Sequence, residues 1–564
     1  MTPLRATRSL LLTCLVSLLT ALLVPASGSP ARAAERADAQ HSEAYIPAGD
    51  GISTLHADIL RPAGIADDVK TPVILTVSPY TSHSGETAPF DPTAEGPSER
   101  FYDFLDLTGA LERGYTYVMV DLPGFGGSGS CNDWGGAREQ GAVVTAVEWA
   151  ASQPWSTGKV ALLGKSYDAW TGLMGLANKP KGLAAVVAME PVFSGYRYLY
   201  NNGVRFTNSL ATPLLFQASD ATPGTINDTP DYHVSGLPQL YCYGINYAMQ
   251  QIDDPDDPFW VERDLLPPSR TSRVPLFLTQ GFLEANTKPD AAFDFFNHLP
   301  GKDNQAWFGQ FDHVRGWEQT TDGKRTQTGR PVQAFVDAVM TFLDHHLLGT
   351  PGAKPGVDVQ DSLGRWRWER SWPAPDTRML QSPLLTGSYA DDGSNDAFGD
   401  AAGNGVWTVS KPLTHRAWLS GEPVLTASLT TTAPRANLVG MVYDIDPSGQ
   451  ARLISRGTEL LRTAGSTEVR LPLYGQDWVL AKGHRIGVLL SGADASWWLH
   501  LPTMTDVVVD SARIALPFLS RDRTRFLQGG STPRLEEHLA QTATVSPETI
   551  AASTGAIRTP GRLR

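Results

Sequence analysis

Five runs of apolar residues, 72–77, 117–120, 160–163, 183–189 and 274–279, dominate the first half of the 564-residue chain. Each is continuous rather than alternating, which suits strands buried on both faces of a parallel sheet. Helical stretches lie between them, among them 138–151 and 171–177. Strand and helix in alternation predict an α/β domain. Residues 194–272 interrupt the pattern with a segment rich in aromatic residues, Pro, Asn and Asp. An insertion there would lie over the carboxyl ends of the strands, where open α/β sheets bind ligands, so it reads as a cap. Residues 331–348 have helical periodicity, with Phe335, Val339, Phe342 and Leu343 on one side and Gly349 as the stop. Beyond 355 the texture turns all-β. Alternating segments at 424–429, 438–443, 468–473 and 485–490 are divided by Gly, Pro and Asp turns, the pattern of a sandwich or jelly roll.

The N-terminus reads as an export signal over residues 1–34. Arg5 and Arg8 precede an apolar run at 9–25, and Ala31-Arg32-Ala33 offers small residues for cleavage near Ala33 or Ala34. The 17-residue run is too short and too interrupted, by Ser17 and Thr20, for a stable membrane span. Cleavage would remove three arginines and no acid, taking the net charge from −13 to −16. That balance argues against a nucleic-acid surface. It would also remove Cys14, leaving Cys131 and Cys242, which an exported chain could join in one disulfide. The organisation expected is therefore a signal peptide at 1–34, core at 35–193 and 273–354, a cap at 194–272 and a β domain at 355–564.

Chemistry concentrates after the strand at 160–163, in Gly164-Lys165-Ser166-Tyr167-Asp168-Ala169 followed by an apolar helix. A serine on a sharp strand-to-helix turn exposes its hydroxyl above the sheet, and the next backbone N–H, of Tyr167, points at a developing oxyanion. Read as Gly-x-Ser-x-Gly, the motif fails at Asp168, whose side chain should crowd the turn. Downstream, Glu284 sits just past the strand at 274–279, and His313 ends Trp307-Phe308-Gly309-Gln310-Phe311-Asp312-His313. Serine, acid and histidine in that chain order match a hydrolase triad, in which the histidine takes the serine proton and the acid fixes its tautomer. Asp290 and Asp312 are the competing acids. The other histidines, including His83, His298 and the pair His345-His346, read mostly as surface or helix-end residues.

Glu148-Trp149, Gln153-Pro154-Trp155-Ser156-Thr157-Gly158-Lys159-Val160 and Gly164-Lys165-Ser166-Tyr167 together resemble the X-prolyl dipeptidyl-peptidase and cocaine-esterase family of serine hydrolases. Arg113-Gly114-Tyr115 and Asp121-Leu122-Pro123-Gly124-Phe125-Gly126-Gly127-Ser128 are similar to that family's strand and glycine-rich turn. The region from Arg365-Trp366 and Trp372-Pro373 onward looks like its C-terminal jelly roll. The resemblance implies an α/β-hydrolase core with Ser166 as nucleophile and His313 as base. It also implies Tyr80, in Ser78-Pro79-Tyr80, as the oxyanion-hole partner of the Tyr167 N–H. Two positions depart from the family: Ala169 stands for Gly, and Glu284 for the usual Asp.

Glu190 precedes Tyr196, Tyr198 and Tyr200. An acid beside an aromatic wall could hold a peptide's free amine, so Glu190, Tyr196 and Tyr200 are candidate substrate contacts. Residues 444–449 echo half a calcium loop but read better as a β-turn, and 391–400 read as an acidic loop. No metal and no cofactor are implied. The reading is a secreted serine hydrolase acting on a peptide or small ester, first an Xaa-Pro dipeptidyl-peptidase, with an esterase or acylase as alternative and an inactive binding relative as the outlier.

Overall fold

A computed structural model describes residues 36–49, 53–86, 96–220, 228–235, 241–393, 404–555 and 557–563. The export segment lies outside them. Among the described residues no helix is long and apolar enough to cross a membrane.

The apolar runs are strands. β1 (Ala39–Pro47) and β2 (Thr54–Pro62) form an antiparallel edge. β3 (Thr71–Ser78), β4 (Thr116–Asp121), β5 (Ser156–Lys165), β6 (Leu183–Met189), β7 (Leu276–Gly281), β8 (Gln305–Gly309) and β9 (Gly356–Gln360) are parallel. β10 (Trp366–Glu369) returns antiparallel to β9. The order across this ten-stranded sheet is β1-β2-β4-β3-β5-β6-β7-β8-β9-β10. Successive side chains alternate between its two faces. Leu162 joins Val143 and Ala146 of α1 (Ala137–Ser152) and Leu173 of α2 (Tyr167–Asn178). Its neighbour Leu163 joins Phe335, Val339 and Phe342 of α3 (Val332–Leu343) on the other face. Double-sided burial explains why the strands read as unbroken apolar runs.

The segment between β6 and β7 is a chain of short helices, including Gly195–Leu199, Thr212–Asp220 and Tyr241–Met249. The C-terminal region is a second, antiparallel β domain. Strands such as Val424–Thr431 and Thr505–Leu519 lie in one sheet, Ala436–Ile445 and Arg485–Ser491 in the other. Leu425, Leu429, Val442 and Val488 meet between them. β9 and β10, just past 355, hydrogen-bond into the large sheet. Residues 444–449 form the expected turn, with the Asp446 carboxylate accepting from the Ser448 and Gln450 amides. Of the acidic stretch, Asp391 is buried and tied to His500 and Thr503, while 394–400 lie outside the described residues.

One buried ion pair joins the two domains. Arg367 on β10 donates both terminal nitrogens to Asp477 at 2.9 and 2.7 Å. Asp477 also accepts from Trp418, Ser420 and Trp372. Neither partner reaches solvent, and Arg367 Nε also pairs with Glu369 at 2.7 Å, so removing Asp477 leaves the buried guanidinium with one carboxylate in place of two and three donors unmatched. Asp477→Ala is expected to cost about 3–5 kcal/mol in equilibrium urea unfolding. A loss below about 1 kcal/mol would show that the pair does not join the domains.

Candidate active site

The strand-to-helix turn after β5 is tight enough to exclude a side chain at its first position. A Cβ on Gly164 would fall 2.3 Å from the Asp168 carbonyl. Ser166 follows at φ 68° and ψ −123°, a conformation L-residues rarely adopt. Its amide is held by the Met189 carbonyl at 2.9 Å, and its carbonyl accepts from the Ala169 and Trp170 amides that open α2. The turn is the predicted elbow. Ala169 is fully buried within it, so the extra methyl is accommodated.

Asp168 does not crowd the turn, because its carboxylate points under it. It accepts from the Ser78 hydroxyl and, at 2.5 Å, from Arg100 Nε. Arg100 was missed in the sequence, where nothing local distinguishes it from a surface arginine. It also reaches the Lys165 carbonyl at 3.3 Å and lies 4.2 Å over the Tyr80 ring. Ser78 Oγ accepts the Tyr80 amide at 2.9 Å. One buried network thus joins the elbow to Tyr80. Burial raises the Tyr80 phenol well above its ordinary value, so it stays protonated, and its hydroxyl meets the Ser166 side chain.

Glu284 and His313 follow β7 and β8, two and three strands beyond β5 in the parallel sheet. Gly281 lets their loops approach, since a Cβ there would meet the Phe311 carbonyl at 2.1 Å. Glu284 Oε1 stands 3.2 Å from His313 Nδ1, off line for a linear hydrogen bond. Its remaining acceptor capacity is taken by the Asn286 amide, the Thr287 hydroxyl and the Lys288 amide. Burial would raise the Glu284 pKa, but His313 and these donors outweigh it and hold it down to about 2. Burial, helped by the nearby Lys165 charge, lowers the His313 pKa despite Glu284. The competing acids are engaged elsewhere: Asp312 accepts the Ala285 amide and Asp290 accepts from Asn201.

The proposed substrate contacts divide differently from expectation. Glu190 is buried between β6 and β7, accepting from Thr279, Gln280 and the Gly281 amide. Its carboxylate serves the sheet. Tyr196 and Tyr200 stack on each other at 5.3 Å, with hydroxyls on the Asp253 and Gln250 carbonyls. Tyr198, between them, turns toward the site, where its hydroxyl donates to Asn286 at 3.0 Å. Tyr196 and Tyr198 lie two apart on the helix Gly195–Leu199 and so point apart, while Tyr200 follows the helix in extended backbone. Phe216, from the helical insertion, packs on Tyr167 at 4.9 Å, on Trp134 at 5.6 Å and on Tyr80 at 5.8 Å. Trp134 and Phe216 were missed because both sit in segments without periodicity. Cys131 is disulfide-bonded. The Cys242 side chain lies outside the described residues, although Asn246 of the same helix bonds the Asn132 carbonyl. His83, expected near the surface, is buried.

Residues 50–315 match the family described as X-Pro dipeptidyl-peptidase (S15 family), and 350–535 match the X-Pro dipeptidyl-peptidase C-terminal non-catalytic domain. The chain belongs to the X-Pro dipeptidyl-peptidase (S15) family. It is a serine hydrolase with an α/β-hydrolase core. A Streptomyces avermitilis protein, provisionally named an Xaa-Pro dipeptidyl-peptidase, is 25% identical over 88% of this chain and 81% of its own length. A provisionally named serine esterase of Mycobacterium tuberculosis is 22% identical over 85% of this chain and 95% of its own. The fold is shared with an α-amino acid ester hydrolase at TM-score 0.66 and 18% identity, covering 88% of this chain and 99% of that one.

Arg100→Met is expected to leave the buried Asp168 carboxyl without its cation beneath the elbow, lowering stability by about 3–5 kcal/mol. Substrate turnover should fall with it as Tyr80 loses its support. Unchanged urea unfolding and unchanged turnover would remove Arg100 from the site.

Proposed function

We propose that the chain is a secreted Xaa-Pro dipeptidyl-peptidase working through an acyl-enzyme on Ser166. The observation that carries this is the convergence of the strained Ser166 turn, the Tyr80 hydroxyl and the Glu284–His313 pair at the carboxyl edge of one sheet. Ser166 Oγ attacks the carbonyl carbon while His313 Nε2 takes its proton. Glu284 orients the ring through Nδ1 and stabilises the imidazolium. The Tyr167 N–H and Tyr80 O–H receive the oxyanion. His313 then protonates the leaving amine, and water, activated by the same imidazole, releases the acyl group. Trp134, Tyr167, Tyr198 and Phe216 form an aromatic wall beside the nucleophile that suits a flat proline ring. The family matches and the names of the relatives support the peptidase assignment. Cys242 is the proposed partner of Cys131, and a disulfide accords with export.

A second reading, hydrolysis of small esters, is favoured by Glu190. The acid expected to hold a peptide amine is occupied within the sheet. The two readings separate on Ala-Pro-p-nitroanilide, its N-acetylated form and p-nitrophenyl butyrate. The peptidase releases nitroaniline from the free-amine substrate, loses it on acetylation and loses it in Ser166→Ala. Ester turnover with no release from either anilide would assign the esterase.

The acid limb of kcat/KM follows from His313, which must be neutral to accept a proton. Because burial lowers its pKa, activity should persist below pH 6.5 and disappear only as pH falls through a lower value. An acid limb centred at pH 7 or above would contradict the buried imidazole as base.

A further inference from the structure

A second cluster of titratable side chains lies away from the triad, where β2, the loop after β3 and a helix of the insertion meet. His56 and Asp58 are two apart on β2, so both point to the same face. His83 comes from the loop that carries Tyr80. Ligand atoms of these three residues lie within 4.8 Å of one another, and all three side chains are 1% exposed. Glu43 Oε2 on β1 stands 3.7 Å from His56 Nε2.

The two imidazoles are held alike. His56 Nδ1 lies 3.1 Å from Asp121 Oδ2, and His83 Nδ1 lies 2.7 Å from Asp228 Oδ1. A carboxylate on Nδ1 fixes the proton there and presents the Nε2 lone pair, the arrangement found behind metal-bound histidines. His83 Nε2 faces Asp58 Oδ2 at 3.1 Å. His56 Nε2 is buried with no hydrogen-bond partner. Were His56 an imidazolium in a simple charge network, that N–H would face only the Glu43 carboxylate, at 3.7 Å and beyond hydrogen-bond reach. A lone pair aimed at a cation meets no such difficulty.

The packing preserves the arrangement. Tyr232 stacks on one face of His83 at 4.2 Å and meets the edge of His56 at 4.8 Å. A Cβ on Gly96 would lie 2.1–2.3 Å from Nε2, Cδ2 and Cε1 of His83, so this glycine covers the ring's other face and leaves the in-plane direction of Nε2 open.

We propose that His56, Asp58 and His83 form a structural site for a divalent cation of the zinc class. Two imidazole nitrogens and a carboxylate suit Zn²⁺, with a fourth position left for water. Ligand atoms within 4.8 Å of one another would draw together around the ion on binding. The site joins three pieces of chain to the oxyanion tyrosine. Asp121, behind His56, also accepts from Thr81, the residue after Tyr80, at 2.6 Å. Tyr232 accepts the His83 amide at 3.1 Å. The cation would brace the Tyr80 loop rather than touch substrate.

Tag-free protein, stripped with dipicolinate and dialysed, is titrated with Zn²⁺ by calorimetry. One Zn²⁺ per chain is expected. His56→Gln should weaken binding by roughly 100-fold or more, and His298→Gln, at an exposed helix end, should leave it unchanged. Absence of binding at micromolar Zn²⁺ would overturn the proposal, as would wild-type binding by folded His56→Gln and His83→Gln. If either variant fails to fold, X-ray absorption of the wild-type zinc form decides. Two imidazoles with carboxylate oxygens support the site, and one imidazole or none overturns it.

Discussion

A serine held at φ 68° and ψ −123° is the constraint on which the rest of the molecule depends. Such a conformation costs of order 1–3 kcal/mol and persists only when its surroundings over-determine it. Here they do. β5 is hydrogen-bonded in the sheet centre, α2 is buried along its length, and Gly164 lets the two meet at a distance no side chain would allow. The parallel sheet then brings the loops after β3, β7 and β8 to the same edge. The strain positions one hydroxyl, and the sheet supplies its neighbours.

Charge buried without solvent is the second organising feature. Asp168 with Arg100 lies under the elbow, and Asp477 with Arg367 lies at the domain joint. Asp477 takes three further side-chain donors and Asp168 the Ser78 hydroxyl, and such added donors are the condition under which a buried pair is tolerable. Glu284 obeys the same rule. Its donors keep it ionised beside His313, so the extra methylene relative to aspartate does not prevent it from reaching the imidazole.

Much of this was legible in the sequence because it is local. Continuous apolar runs gave the strands, and Gly164 before Ser166 marked the turn. The placement of Glu284 and His313 just past strand ends was readable from the same runs. What escaped depends on long-range contact. Arg100 meets Asp168 across 68 positions, and Phe216 reaches Tyr167 from the insertion. The tyrosines show the boundary between the two. The three look alike in the chain, but only the packing stacks Tyr196 on Tyr200 and turns Tyr198 toward Asn286. Asp168 taught a similar lesson, since a side chain that looks too large for a turn can instead carry the charge beneath it. β9 and β10 follow a change of texture yet hydrogen-bond backwards into the first sheet, a pairing that no local pattern announces.

The central proposal is Ser166 as nucleophile. Treating the purified protein with a fluorophosphonate and sequencing the modified peptide by mass spectrometry tests that most directly. A single adduct on Ser166, absent after denaturation before labelling, is the result the account predicts. Modification of a different serine, or a folded protein that takes no label, would contradict it.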